Sequence, residues 1–350
     1  MIDAIKIHAL KSVKDLTVFC SNLNVFAGTN SSGKSTILQS LLIVSQIEAT
    51  NKESSFNGEL IKLGEFNEVR SKLLNKDNVE ISLADDGNLS KFTISENVVS
   101  AEKNDSISNK ISYKRRFYYI PFDRIGVAET YPKNTTKSKF GYKCDCALSY
   151  FESQKKETEP NPLDANLIKD PSDKTLSAQV NYWLDKILGV TLQTFDENPK
   201  GSYLTATYTS KEGMAYRPMN VGSGVSYLVT IIIVCLAAEK DSVIVIENPE
   251  IHLHPKAQAL LMEFLYFIAD SGRQLFVETH SDHIFNGIRA GVATQKMDAK
   301  KICVNFVTYD EKDGTKCEKI EIGKHGDIKN PQPDLFEQFD IDLNKMLGLF

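Results

Sequence analysis

Apolar and polar positions fall into three regimes along the chain. Near the start, Ile5, Ile7 and Val18 alternate with polar residues, which predicts short strands. The run Asn24–Ala27 predicts a strand entering a glycine turn. Ile37, Leu38, Leu41 and Leu42 then recur at helical spacing, which predicts a helix over 34–47. Residues 50–165 are more polar, rich in Ser, Asn and Lys, with short β-like runs at 79–83, 91–94 and 117–121. Within and beyond them, 133–175 reads as exposed loop. A helix is predicted at 175–188, with Val180, Trp183, Leu184 and Ile187 on one face, and a strand at 203–209. After Asn220 an α/β alternation sets in. Helices are predicted at 225–238, 256–270, 281–291 and 335–347, and strands at 242–246, 274–278, 302–309 and 318–322. No internal repeat and no heptad stretch is apparent.

These regimes predict an α/β fold built on a mixed central sheet. Residues 1–50 and 201–350 would form a discontinuous core, 51–165 a β-rich subdomain, and 166–200 a helical lobe or insertion. At 350 residues the chain is long enough for one large domain or two ordinary ones. The net charge of −5 gives no support for nucleic-acid binding. Two basic clusters, Lys114/Arg115/Arg116 and Lys137/Lys139/Lys143, are read as solvated loops. The first residues lack the layout of a signal peptide. The longest apolar run, Tyr227–Ala238, is too short to span a bilayer. A cytoplasmic location without membrane contact, and reduced cysteines, are therefore expected. Cys144 and Cys146 lie close together, but no second pair has zinc-finger spacing, so they are read as small apolar residues.

The glycine turn carries the clearest chemistry. Gly28-Thr29-Asn30-Ser31-Ser32-Gly33-Lys34-Ser35 matches G-x-x-x-x-G-K-[ST] in full. Glycines let backbone amides curl around phosphate oxygens, and the following helix turns its positive end to the anion. Lys34 is expected to reach the β- and γ-phosphates, and the Ser35 hydroxyl to hold Mg²⁺. A second feature is the apolar strand Val243–Ile246, which ends in Glu247-Asn248-Pro249-Glu250. A carboxylate there can hold Mg²⁺ and orient an attacking water. His252 and His254 follow and are read as a packed turn, since no third metal ligand is near. Thr279-His280-Ser281 follows the strand 274–278, where a histidine can reach a γ-phosphate. Gly222-Ser223-Gly224-Val225-Ser226 opens an apolar helix and can form a second anion site. One phosphate loop and one separate anion site per chain predict a two-fold dimer with two ATP molecules between the copies, alone or within a higher homo-oligomer.

The order GTNSSGKS, VGSGVS, VIVIENPEIHLHP, ETHSDH resembles the ABC-type ATPase heads of the RecF, SMC and OLD group. It is similar to stand-alone bacterial AAA-family ATPases, many of which are found in phage-defence operons. Supporting stretches are IKIHALKSVKDLTVF, NGELIKLGEF, YYIPFDRIG and PDLFEQFDIDLNKMLG. The resemblance implies a P-loop ABC-type head whose helical lobe carries the signature motif. Gly28 to Thr36 would be the Walker A loop, with Asn30, Ser31, Ser32 and Thr36 among the nucleotide contacts. Glu247 would be the Walker B acid and His280 the switch histidine. Gly222, Ser223, Gly224 and Ser226 would be the signature motif acting on the partner's ATP. Gln39 or Gln46 would serve the Q-loop, and Arg124 would approach the nucleotide.

One departure is Asn248, which stands where many such heads carry a catalytic Glu and cannot accept a proton. Glu247 itself or Glu250 must then polarise the water, with Glu250 favoured as the base, or hydrolysis is slow. Roughly seventy residues follow His280, too few for the nuclease domain of OLD proteins. The expected function is a Mg²⁺-dependent ATPase, slow in turnover, that acts as a switch or sensor for a separately encoded effector such as a nuclease in antiphage defence. The alternatives are a RecF-like repair ATPase that binds DNA, and a non-hydrolysing ATP-dependent scaffold.

Overall fold

The computed structural model describes residues 1–50, 56–113, 115–136, 138–156, 163–336 and 338–349. At its centre is a six-stranded sheet. Strand β3 (Leu23–Gly28) lies between β13 (Gln274–Glu278) and β14 (Ile302–Asp310). Beyond β13 come β12 (Val243–Glu247) and the edge strand β7 (Phe117–Ile120). Beyond β14 comes β15 (Gly314–Ile320), the one antiparallel member. The parallel strands end together, so the carboxyl termini of β3, β13, β12 and β7 form one rim.

The continuous apolar runs of β12 and β13 follow from burial on both faces. Alternate residues feed two cores. Val25, Ile244, Ile246, Leu275 and Val277 meet one core, with helices α5 (Leu176–Leu188), α6 (Ser223–Ala237), α7 (Pro255–Asp270) and α8 (Asp282–Ala293). Phe26, Val243, Val245, Phe276 and Tyr119 meet the other, with helix α1 (Lys34–Thr50) and a second sheet. That sheet is antiparallel, in the order β2 (Val13–Phe19), β1 (Ala4–Leu10), β4 (Val79–Asp85), β5 (Asn88–Ile94), β6 (Val99–Glu102). Two short helices, α2 (Phe66–Val69) and α3 (Asp105–Ile111), flank it. A small third sheet joins β8 (Tyr131–Pro132), β9 (Val190–Phe195), β10 (Tyr203–Ser210) and β11 (Ala215–Tyr216). Trp183 is fully buried in the first core, as its helical phase predicts.

Three expectations change. The strands do not divide at residue 50: β1 pairs with β4, which puts β1 and β2 in one sheet with β5 and β6, and β7 belongs to the central sheet. Two-residue periodicity identifies a strand but not its partner. The stretch 133–175 is not all loop. Helix α4 (Ala147–Lys156) buries Ala147, Leu148 and Phe151 against the first core. The final hairpin strand starts at Gly314 rather than 318, because Thr315 is also buried. Of the basic clusters, Lys114 and Lys137 lie outside the described residues. Arg115 donates to Asn109, Arg116 to Glu239 and Lys139 to the Ala237 carbonyl. All six cysteines are free thiols, and Cys144 and Cys146 are buried. Among the described residues no helix is long and apolar enough to cross a membrane.

Candidate functional site

Strand β3 delivers the chain to the rim at Gly28. Its φ is +145°, and a Cβ there would stand 2.0 Å from the Val307 carbonyl oxygen of β14, so only glycine fits. Ser31 adopts the left-handed region (φ +61°), which turns the loop back towards α1. Helix α1 begins at Lys34, so its unpaired first-turn amides face the loop. The Lys34 ammonium donates to the carbonyls of Gly28 (3.0 Å) and Thr29 (2.7 Å). Burial lowers its pKa, and the Glu278 carboxylate opposes that shift. From the far side the Thr315 hydroxyl donates to the Ser32 carbonyl at 2.9 Å and braces the loop.

The next two strands bring carboxylates to the same place. Glu247 ends β12 and Glu278 ends β13, and the two are direct partners in the parallel register. Adjacent strands lie about 4.8 Å apart, and residues in register share a face. Both acids continue the phase of Val245 and Phe276, hence the face that carries α1. There the Ser35 hydroxyl donates to Glu278 Oε1 at 2.8 Å. Glu247 Oε2 accepts from the Phe122 amide at 3.2 Å. Burial raises the Glu247 pKa. Burial, then the neighbouring Glu247 and Glu250 charges, push Glu278 up to about 7, against the pull of Ser35 and Lys34. Ser35, Gln39, Glu247, Asn248 and Glu278 line a cleft of about 260 Å³. Desolvated oxygens that crowd one another beside a hydroxyl suit a hard divalent cation. Loop amides and an ammonium suit a phosphate chain. The donor set present therefore fits Mg²⁺ and a triphosphate.

Around this centre stand the remaining candidates. Asn248 has φ +43°, a conformation Asn tolerates better than most residues, and its amide donates to the Glu278 carbonyl at 2.9 Å. Glu250 Oε1 accepts from the His280 amide at 2.8 Å, and burial raises its pKa. The His280 side chain is exposed just past β13. Partial desolvation, then the Lys34 charge, lower its pKa. Lys34, Ser35, Glu247, Glu250 and His280 thus converge on one rim. Arg124 does not face it. It is 4 % exposed and donates only to main-chain carbonyls, those of Pro121, Tyr227, Glu247 and Asn248. Burial brings its pKa down to about 10. Gln39 accepts from Lys11 at 2.7 Å at the cleft wall, whereas Gln46 is buried and accepts from the amides of Leu60 and Ile61. His252 packs beside Tyr227, and His254 caps α7 by accepting from the Lys256 amide. Among the described residues no group of three or more His, Cys, Asp or Glu side chains is placed to hold a metal ion by itself.

The second anion candidate lies elsewhere. Gly222 caps α6 and is exposed, and Ser223 opens the helix; neither lines the cleft. Gly224 allows close packing, since a Cβ there would stand 2.5 Å from the His252 carbonyl oxygen. Ser226 is corrected. It is 1 % exposed and accepts from the Tyr208 hydroxyl at 3.4 Å, because its place one turn on points it into the core. Ser223 is therefore the surface serine of this motif. Sequence reasoning missed Glu278. Its signal was present as an acid at the last position of a buried strand, in phase with Glu247.

The profile of the AAA ATPase domain family matches residues 94–285, more than half of the chain. No curated protein matches it. Among solved structures the chain is similar to an Smc head domain with an extended coiled coil from Pyrococcus furiosus, bound to the C-terminal domain of ScpA (12 % identity, 99 % of each chain, TM-score 0.55). It is similar also to an SmcHead bound to the C-winged helix domain of ScpA (15 % identity, 92 % of this chain and 98 % of that one, TM-score 0.53). A third likeness is the SMC head domain from Thermotoga maritima (11 % identity, 92 % and 99 % coverage, TM-score 0.50). At these identities the likeness establishes the fold, that of an ABC-type P-loop head.

Proposed function

The chain belongs to the AAA ATPase domain family, and from that premise we propose that it binds and hydrolyses ATP with Mg²⁺ between two copies of itself. The observation that carries this reading is the cleft at the rim of the parallel sheet lined by Ser35, Glu247 and Glu278, with the Lys34 charge acting on Glu278 from the phosphate loop. In this reading the amides of 28–36 wrap the phosphates, with the side chains of Asn30, Ser31, Ser32 and Thr36 around them. Lys34 leaves the loop carbonyls for the β- and γ-oxygens. Ser35 and Glu247 hold the cation, which neutralises phosphate charge when bound. Glu250 accepts a proton from the attacking water, and His280 contacts the γ-phosphate. Gly222, Ser223 and Gly224 present the amide end of α6 to the nucleotide held by the other copy.

Closure on ATP and opening after hydrolysis would make the pair a switch, driven by its different affinity for ATP in the two states. We propose that the switch controls a separately encoded effector. The motif order shared with ATPases of phage-defence operons supports that role, as do protein partners seated on similar heads. The Asn248 position favours one other reading, a slow or non-hydrolysing head that uses ATP for assembly. Replacing Lys34 with alanine tests the core of the proposal. Equilibrium dialysis with labelled ATP should show binding lost, and steady-state turnover should fall to background. Retention of both at wild-type levels would end the assignment. Turnover by the wild-type chain separates the two readings.

A further inference from the structure

Besides Glu247 and the exposed Asp123, the cleft is lined by a third carboxylate, Glu278, which a phosphate loop and a single strand-end acid do not account for. Glu278 is the last residue of β13, which lies between the loop strand β3 and the acid strand β12. It is 5 % exposed, so its position is built into the sheet and is not a surface acid. Its Oε1 accepts the Ser35 proton at 2.8 Å. A hydroxyl that donates to a carboxylate keeps its lone pairs for a cation. Register sets Glu278 directly beside Glu247 on the same face of the sheet. The residue after Glu247 is Asn248, which carries no charge, so the carboxylate directly beside Glu247 comes from the neighbouring strand and not from the next position of the chain.

We infer that Glu278 is the second carboxylate of the divalent-cation site, holding Ser35 in its ligating orientation and sharing the cation with Glu247. The inference rests on the nucleotide-pocket reading. It makes a distinct demand on that pocket, since metal affinity and nucleotide affinity become separable. Removing the Glu278 charge weakens the cation alone, whereas removing Lys34 weakens the phosphates.

The test uses the full-length chain and Mn²⁺ as the probe, followed by its electron paramagnetic resonance signal in the presence of a non-hydrolysable ATP analogue. Nucleotide binding in EDTA is measured in parallel. Glu278→Gln is expected to weaken Mn²⁺ binding by about tenfold or more, the usual scale for losing a group that supports a metal ligand. Its nucleotide affinity in EDTA should be undiminished, because a charge repelling the phosphates is gone. Glu278→Asp, which keeps the charge and guards against misfolding, should recover part of the Mn²⁺ affinity. Wild-type Mn²⁺ affinity in Glu278→Gln, alongside a loss of nucleotide in Lys34→Ala, overturns the inference and leaves the pocket standing. Nucleotide retained by Lys34→Ala overturns the pocket, and the inference with it.

Discussion

At the scale of single residues, the crowding of acids at the rim makes a prediction about stability. In the metal-free protein Glu278 keeps its proton up to about pH 7, while the ordinary value is 4.5. Between those limits the folded chain binds more protons than the unfolded one. The contribution of Glu278 is therefore complete below the ordinary value and is lost as the pH rises through about 7. Glu278→Gln stays neutral throughout and escapes that loss. In EDTA its stability relative to wild type should grow with pH, by on the order of 3 kcal/mol near pH 8. Urea melts at the two ends of the range measure it, and an advantage that does not change with pH would refute it. Asp85, whose pairing with Lys110 and the N-terminus lowers its pKa, acts in a more acidic window and is common to both proteins. The phosphate loop and Glu247 were legible in the sequence because each sits in a local pattern of fixed spacing. Glu278 was not, because its meaning depends on register with a strand some thirty residues away, and register is a tertiary fact. Ser226 failed for a related reason: a motif names positions, whereas the helix decides which of them face outward.

At the scale of elements, Arg124 is the link that local pattern could not reveal. The segment after β7 carries a guanidinium that joins three elements through their carbonyls: its own turn at Pro121, the end of β12 at Glu247 and Asn248, and α6 at Tyr227. It thereby ties the acid strand to the helix that presents Gly222 and Ser223. Arg124→Ala should cost about 2–4 kcal/mol, since it leaves buried acceptors without donors. Arg124→Lys should recover only part, because one ammonium cannot span the fork of carbonyls. Denaturant titration of both variants measures this, and a loss within the noise of a surface substitution would show that water satisfies those carbonyls. Helices α2, α3 and α4 escaped periodicity, whereas α1, α5 to α8 and the parallel strands were legible from it, with ends displaced by three residues at most. Their partners were not. β1 and β2 were assigned to the core but share the antiparallel sheet of β4, β5 and β6, which β1 joins through β4, and β7 was assigned to the subdomain but completes the central sheet.

At the scale of the whole molecule, the two half-sites are separate: the cleft at Ser35 and Glu247 is lined without the helix end at Gly222 and Ser223, as two half-sites completed by different copies would be. Each is bordered by a large exposed apolar side chain. Phe122 beside the cleft is 59 % exposed, and so is Met219 in the turn before Gly222. Apolar rims next to incomplete polar sites are what a second copy would cover, with ATP as the shared ligand. Dimer mass should therefore depend on nucleotide, and a block on hydrolysis should make it persist. Glu250→Gln keeps an acceptor for the His280 amide but removes the proposed base. With Mg²⁺ and ATP, light scattering should report twice the single-chain mass for this variant, and the single-chain mass without nucleotide. Adding Ser223→Glu places a negative charge where the other copy's phosphates would sit. The double variant should remain at single-chain mass while still binding ATP through Lys34. If it dimerises as readily as Glu250→Gln alone, the helix end at Ser223 does not meet the partner's nucleotide, and the head-to-head arrangement must be replaced by another.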